Sequence, residues 1–484
     1  MTTASDRQRQ ADRRPEGAAG RPSPRPDVPE VALPGPPAGP LRRVLMVARV
    51  FPPFQSVGHS LRVVKFIKYL PALGWLPSVL TIDDRKEYEG DRRQGSDSLL
   101  VEIPSGVNVE RTRAGEPSWA FLERERRFGQ RNWLTRIITK VTGGCRRWAY
   151  RNLLVPDRCV LWLPFAVHRG RRIVRTRDVE VIFATCPPYS ASLVGACLKR
   201  VTGKPLVLDF RDDWVGTPWY ASKGPVLRLV NRWLESLAVR AADKVILVTE
   251  WSRTSFLQRY PLQADKFVLI PNGCDLEEFT PANDAGPVPP AAGFTILHAG
   301  TLNDAANWGR TPAALFRALH AIVQRDPSLA GELRLAFTGA LPQKQRQLVT
   351  ELGLSSMVKE LGFLPREEFL HVMQTAGMLL VINYDGYATL IPGKIYEYWA
   401  VGGPPILLLS CPGAASDLVQ HYALGTSADP GDSDAIERAV LTAYQRSKTQ
   451  APMRVGTAGI ERFDRKALAQ QLGNVLSEQA GVRS

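Results

Sequence analysis

Apolar residues in this chain fall into short unbroken runs, separated by stretches in which they recur at helical spacing. The first run is Val44-Leu-Met-Val-Ala48, and a loop with Phe51-Pro-Pro53 and Gly58 follows it. Leu61, Val64, Phe66, Ile67 and Leu70 then recur at three- and four-residue intervals, which predicts a helix with one buried face. Gly74-Trp75 breaks that helix, and Pro77-Ser-Val-Leu-Thr-Ile82 predicts the next strand. The order strand, glycine-containing loop, helix, strand is a βαβ unit.

The alternation resumes downstream. Strands are predicted at Val179–Ala184, Pro205–Asp209 and Lys244–Thr249, with helices around Ser192–Arg200 and Val226–Ala241. A second series starts at Phe294–His298. It continues with a helix near Ala313–Arg325, strands at Leu333–Phe337 and Met378–Ile382, a helix from Lys394 and a strand at Pro405–Leu409. The two series meet at Pro271-Asn-Gly273 and a Pro/Gly linker, Ala285–Gly293. The pattern predicts an α/β protein of two Rossmann-like domains facing a cleft, residues 41–262 and 263–484. Residues 1–40 are rich in Pro, Arg, Gly and Ala and short of large apolar side chains, which predicts a disordered tail. A helix over about Lys466–Gln479 is expected to cross back to the first domain.

A length of 484 residues and a hydrophobic fraction of 44% suit two cores. The net charge of +15 points to an anionic partner. The cysteines have no CxxC or zinc-knuckle spacing and no nucleophile context, so reduced thiols are expected. The first residues carry no apolar signal core, and no long apolar run is free of charges and breakers. The expected location is the cytoplasm, with peripheral attachment to the inner membrane face as an option. Much of the positive charge sits in an insert, residues 120–177, where Asp157 is the only acid between Arg126 and Arg177. Leu134, Ile138, Val141, Cys145 and Trp148 give its 124–151 portion an apolar helical face among arginines and lysines. Two readings stand: a helix at an anionic membrane surface, or a core-packed helix with a solvated basic face. No nucleic-acid module or stacking platform is present, so nucleic acid is not an expected partner.

The richest chemistry lies in Lys394-Ile-Tyr-Glu397, followed by Gly402-Gly403-Pro404-Pro405. Residues three apart share a helix face. A helix so placed can aim Lys394 and its N-terminal amides at a phosphate, and Glu397 can accept hydrogen bonds from a ribose diol. A surface Lys/Glu ion pair is the plainer reading of the same residues.

Taken together, several segments resemble the GT-B glycosyltransferases, specifically the retaining bacterial enzymes of glycosyltransferase family 4. They are Phe51-Pro-Pro53 with Gly58, Thr185-Cys-Pro-Pro-Tyr-Ser190, Asp209-Phe-Arg-Asp-Asp-Trp214, Ile270-Pro-Asn-Gly-Cys-Asp275, Gly300-Thr-Leu302 with Gly309-Arg310, and Lys394–Tyr398. The resemblance implies a nucleotide-diphosphate sugar donor and a lipid-linked, glycan or secondary-metabolite acceptor. It makes Arg310 and Lys394 the cations that meet the leaving diphosphate. It gives the donor Gly58, Gly300 and Glu397, the last on the ribose, and gives the acceptor side Asp212, Arg211, Tyr189 and His59. Arg211 has an equal reading as a structural partner of a carboxylate, and His59 as a solvated loop residue. Asp212 and Asp213 are adjacent and do not form a DxD pair, so no metal and no cofactor are expected. The Pro271-Asn-Gly273 turn resembles the family's interdomain hinge.

Two departures stand out. Thr389 occupies the position where the family carries the first Glu of a Glu-x7-Glu pair, leaving that donor contact to Thr389 itself or a neighbour such as Asp385. Thr301 replaces an arginine common in the family. A nucleotide-sugar 2-epimerase and a degenerate GT-B binding subunit are the alternatives to a transferase.

Overall fold

The computed structural model describes residues 39–53, 57–83, 98–114, 154–279, 293–300, 302, 310–362, 364–383, 386–449 and 454–481. Nearly all of the expected disordered tail, the amphipathic portion 124–151, Thr301 and Asp385 lie outside them.

Thirteen strands are present among the described residues, in two parallel sheets. The first holds β1 (Arg42–Val47), β2 (Trp75–Ile82), β3 (Asn108–Thr112), β4 (Val181–Cys186), β5 (Leu206–Phe210), β6 (Lys244–Leu247) and β7 (Phe267–Leu269), in the order β3-β2-β1-β4-β5-β6-β7. The second holds β8 (Phe294–His298), β9 (Leu333–Phe337), β10 (Val358–Glu360), β11 (Met378–Ile382), β12 (Ile406–Leu409) and β13 (Gly425–Ala428), in the order β10-β9-β8-β11-β12-β13. The strand order reverses between β1 and β4 in one sheet and between β8 and β11 in the other. Each sheet is therefore doubly wound, with helices on both faces.

The apolar runs are strands because both of their faces are covered. Val44, Leu45, Met46 and Val47 of β1 are fully buried, the odd-numbered pair on one face of the sheet and the even-numbered pair on the other. Strands β8, β9 and β11 match the sequence expectation residue for residue. The strands not predicted from sequence are the edge strands: β3, β10 and β13 are short or half-exposed and lack an apolar run, and β7 is apolar but only three residues long.

Strand β7 moves a boundary. It pairs in parallel with β6, so the first sheet continues to Leu269, past the expected limit at 262. Helix α1 (Val57–Tyr69) follows β1, and on the same face of the first sheet lies a helix from far along the chain, Arg465–Gly481. Leu468, Leu472 and Leu476 of that helix are fully buried with Val64, Ile67 and Met46. Residues assigned by sequence to the second domain thus complete the core of the first, as the expected back-crossing requires.

Two chain crossings connect the domains, and they are bonded to each other. Cys274 N–H donates to Phe463 O at 3.1 Å, and Arg465 N–H donates to Cys274 O at 2.9 Å. Gly273 is obligatory there: a Cβ would stand 2.7 Å from the carbonyl carbon of Phe463. Helix α1 clamps this strap. Arg62 donates to both oxygens of Asp209, at 3.0 and 3.2 Å, and to the carbonyls of Ile270 (2.9 Å) and Pro271 (2.6 Å). Lys65 pairs with Glu102, Asp275 and Glu278, while Lys68 and Tyr69 also bond Asp275. These carboxylates form the one three-acid cluster with metal-like spacing among the described residues, and lysines already meet their charge.

Leu472→Ala should cost about 2–5 kcal/mol, the usual range for deleting a buried leucine side chain. The loss should appear in denaturant unfolding followed by a probe in the first domain, because the cavity opens beneath α1 and β1.

Candidate active site

In a doubly wound sheet, the strands flanking the reversal part at their carboxyl ends and leave a crevice. The second sheet's crevice lies beyond β8 and β11. Two hydrogen bonds pin the backbone leaving β8: Ala299 N–H donates to Tyr398 Oη at 2.9 Å, and Gly300 N–H to Thr338 Oγ1 at 2.9 Å. Gly300 has φ +142°, and a Cβ there would lie 2.6 Å from Lys394 Cε. The glycine is needed on both counts: the backbone is one that L side chains rarely adopt, and the lysine lies directly against it.

Lys394 stands in the first turn of helix α9 (Gly393–Val401), the ninth helix of nine residues or more among the described residues. Pro392, the residue before the helix, supplies no side-chain cap; its carbonyl takes the Ile395 N–H at 3.0 Å, and the amides of Gly393 and Lys394 keep their donors for another partner. Lys394 and Glu397 share a face as expected, yet they form no ion pair. Glu397 has no hydrogen-bond or ion-pair partner among the described residues and is partly exposed. Burial pushes the Lys394 ammonium pKa down, Glu397 opposes the shift and Arg310 adds to it. The same two cations act on His298, which sits at the end of β8. Burial, then the charges of Lys394 and Arg310, hold its pKa at about 3. His298 Nδ1 donates to Leu380 O at 3.0 Å, so its Nε2 carries the lone pair, and that atom has no partner. Sequence reading missed His298. The available signal was a histidine ending an otherwise apolar strand.

Gly300, Arg310, Lys394 and Glu397 therefore come together at the reversal point of the second sheet. Thr389 lies in the loop leading to α9, and its carbonyl accepts from Thr249 Oγ1 of the first domain at 2.8 Å. In the same loop, a Cβ on Gly386 would stand 2.9 Å from Pro218 of the first domain. This loop is a point where the two domains touch.

Opposite lies the first domain. Gly58 and His59 are in the opening turn of α1, and the His59 side chain is outside the described residues. The Asp209–Trp214 motif is almost wholly used by the fold. Asp209 holds Arg62 and accepts from Thr185 Oγ1 at 2.8 Å. Asp213 accepts from Arg259 at 2.6 Å and from Ser255 at 2.7 Å. Two acceptor-side expectations are corrected here. Arg211 is 8% exposed and donates to the carbonyls of Cys186 and Pro187, so it shapes the loop after β4. Tyr189 is also 8% exposed, stacks on Trp214 with ring centroids 4.8 Å apart, and donates to Asp213 O. Its ring and hydroxyl are both committed to the core.

Asp212 is the member left over. It has no hydrogen-bond or ion-pair partner among the described residues. Burial raises its pKa, Arg211 opposes the shift, and Asp213 and Asp209 reinforce it. A carboxyl of raised pKa at the carboxyl end of β5, with its neighbours all engaged, is the group on this side free to take a ligand hydroxyl.

Two doubly wound parallel sheets joined by paired crossings, with a carboxyl-end crevice in each, make this a protein of the GT-B fold. Residues 58–278 match the model of the Glycosyltransferase Family 4 domain. The chain is 25% identical over 263 residues to D-inositol 3-phosphate glycosyltransferase of Corynebacterium efficiens, covering 51% of this chain and 59% of that protein. It is 27% identical over 162 residues to the protein of the same name from Nocardiopsis dassonvillei, covering 31% and 37%. The chain thus spans little more than half the length of the first of these curated relatives. Among solved structures, sucrose-phosphate synthase from Thermosynechococcus elongatus aligns with a TM-score of 0.61 at 17% identity, covering 91% of this chain and all of that one. Anabaena HepE, solved with UDP and glucose, aligns at 0.60 with 19% identity, covering 90% and 100%. These likenesses confirm the architecture.

His298 generates a pH prediction. Its pKa falls from 6.5 unfolded to about 3 folded, so the unfolded chain binds the extra proton in between. Its contribution to stability is complete above pH 6.5 and is lost as the pH falls towards 3. His298→Gln keeps a donor for Leu380 O and should reduce the fall in unfolding free energy across that window, by up to about 1.4 kcal/mol per pH unit. Urea melts at pH 7, 5.5 and 4.5, values chosen to lie about that window, measure it.

Proposed function

We propose that this protein transfers a sugar from a nucleotide-diphosphate donor to an acceptor hydroxyl, with retention at the anomeric carbon. The observation that carries the reading is Lys394 laid against Gly300 at the reversal of the second sheet, with Arg310 beside it and Glu397 unpaired one turn on. Lys394, whose protonation is disfavoured by burial and by the charge of Arg310, is poorly matched to an empty site and well matched to a diphosphate. Arg310, Lys394 and the open amides of α9 meet the charge that develops on the leaving diphosphate. Glu397 takes the ribose diol. The chain supplies these cations itself, so the reaction needs no metal or cofactor. The names of the curated relatives, all glycosyltransferases, support the reaction class.

The acceptor lies against the first domain, where Asp212 receives or orients its hydroxyl. In the relatives' names the acceptor is an inositol phosphate. The positive charge of this chain suits such an anionic acceptor, and equally a lipid-linked one carrying phosphate. The place of action is the cytoplasm or the cytoplasmic membrane face. The role of the missing glutamate at the donor sugar falls to Thr389 or to a neighbour in sequence such as Asp385.

Calorimetry with nucleoside diphosphates tests the donor site. Glu397→Ala should weaken binding roughly tenfold, equivalent to a charge-assisted hydrogen bond of about 1.5–3 kcal/mol, while the fold survives. Unchanged affinity in the folded variant would remove the ribose role.

Turnover with labelled nucleotide sugars tests the chemistry and separates transfer from epimerisation and from inactivity. Lys394→Ala and Arg310→Ala should each lower kcat by about two orders of magnitude. EDTA should leave the wild-type rate unchanged. Asp212→Asn should lower kcat/KM for the acceptor while leaving nucleoside-diphosphate affinity intact, because the residue stands on the opposite wall.

A further inference from the structure

Three helices form one layer on the first sheet: Leu163–Thr176, Ser190–Thr202 and Pro225–Ala241, each packed on the next. The third presents an apolar stripe to solvent. Val226 is 72% exposed, Leu229 69%, Trp233 62% and Leu237 41%. Spaced by three, four and four residues, they fall within an arc of about 80° at 3.6 residues per turn. The opposite face is what the core needs: Asn231, Glu235, Ala238 and Val239 are buried. The stripe is thus surplus to folding, and a contiguous exposed apolar row on a soluble domain calls for a partner.

Charge narrows the partner. The layer carries nine basic residues and one acid, and the acid, Glu235, is buried against Arg259 and Tyr260. Arg228, Arg232 and Arg240 are exposed on the striped helix itself, and Arg171, Arg172, Arg175 and Arg200 on its two neighbours. Phe165 and Val201, 41% and 44% exposed, continue the apolar character across the layer. A second copy of this chain would set like charges against each other. A surface that is apolar at its centre, carries a tryptophan and is cationic around it matches the interface of an anionic bilayer.

We infer that the outer face of the Pro225–Ala241 helix docks on anionic lipid, with Val226, Leu229, Trp233 and Leu237 below the headgroups and the arginines among the phosphates. The location is functional. The turn that leads into this helix, Pro218–Ala221, is the one whose Pro218 meets Gly386 of the second domain. Lipid docking therefore brings the mouth of the cleft to the membrane, where an acceptor on a lipid carrier is presented. The docking surface does not rest on the transfer reaction, and its test involves no sugar.

The test is co-sedimentation of the full-length protein with vesicles of phosphatidylcholine alone or with about one-third phosphatidylglycerol, at low and high salt. The wild type should bind the mixed vesicles, and weakly in about 1 M salt, where the Debye length is near 3 Å. The double variant L229S/W233S should lower partitioning at least about tenfold with an unchanged melting temperature, since both sites are exposed. R232E/R240E should remove the preference for phosphatidylglycerol. Leu262→Ser, at a residue 89% exposed outside this layer, should change nothing. Wild-type binding that L229S/W233S leaves intact, as a surface in 124–151 would give, overturns the inference, and so does absence of wild-type binding. A dimer in analytical ultracentrifugation that L229S/W233S dissociates, without vesicle binding, would make the stripe a contact between copies.

Discussion

The guanidinium of Arg62 is the point on which the two halves of this molecule depend. It is 2% exposed, and a buried charge is tolerable only when its hydrogen bonds are met. Its partners come from separate parts of the chain: Asp209 at the end of β5, the carbonyls of Ile270 and Pro271, and the side chain of Asn272 at 3.3 Å. One side chain of α1 thereby fixes the start of the Asp209–Trp214 motif and the first interdomain crossing. Removing it would strand Asp209 in the core with Thr185 as its remaining hydrogen-bond donor among the described side chains. The energetic loss would fall on the crevice and the hinge together.

The Asp209–Trp214 motif shows how such a constraint divides labour. Its residues look chemically equivalent in sequence, three carboxylates and an arginine. In the fold, Asp209 neutralises Arg62, Arg211 holds the loop after β4, Asp213 neutralises Arg259, and Trp214 donates to Tyr220 Oη and Asn231 Oδ1. What remains for a ligand is Asp212, set among charges already paired. Burial, reinforced by the charges of Asp213 and Asp209, raises its pKa, and the engagement of its neighbours leaves it available.

The sequence carried the architecture wherever periodicity carried it. Strands buried on both faces left runs such as Phe294–His298 and Met378–Ile382 that admit one reading. The edge strands β3, β10 and β13 left no such mark, because an edge needs neither an apolar run nor alternation, and β7, apolar but three residues long, was lost with the domain boundary it defines. The crevice of the second domain was legible because Gly300, Lys394 and Glu397 act through local spacing and a resemblance in motif. The crevice of the first domain was less so. Whether Arg211 or Tyr189 meets a ligand depends on partners such as Pro187 and Trp214 whose positions tertiary packing decides. His298 escaped for a similar reason: its importance lies in an unpaired nitrogen beneath two cations, which no spacing announces. The stripe on the Pro225–Ala241 helix was visible as a helix, but only the packing of its other face shows which apolar residues the core leaves out.

The helix Arg465–Gly481 has a consequence for biogenesis. It supplies Leu468, Leu472 and Leu476 to the core over β1 and α1, yet ribosomes make it only after the entire second domain. While a chain is being synthesised, the second domain can close around β8–β13 as a unit, whereas the first must wait with part of its apolar face uncovered. Domains ordinarily mature in the order in which they emerge. Here the order of completion is inverted, and the exposed face of α1 is a surface that a chaperone has time to meet before the chain can cover it.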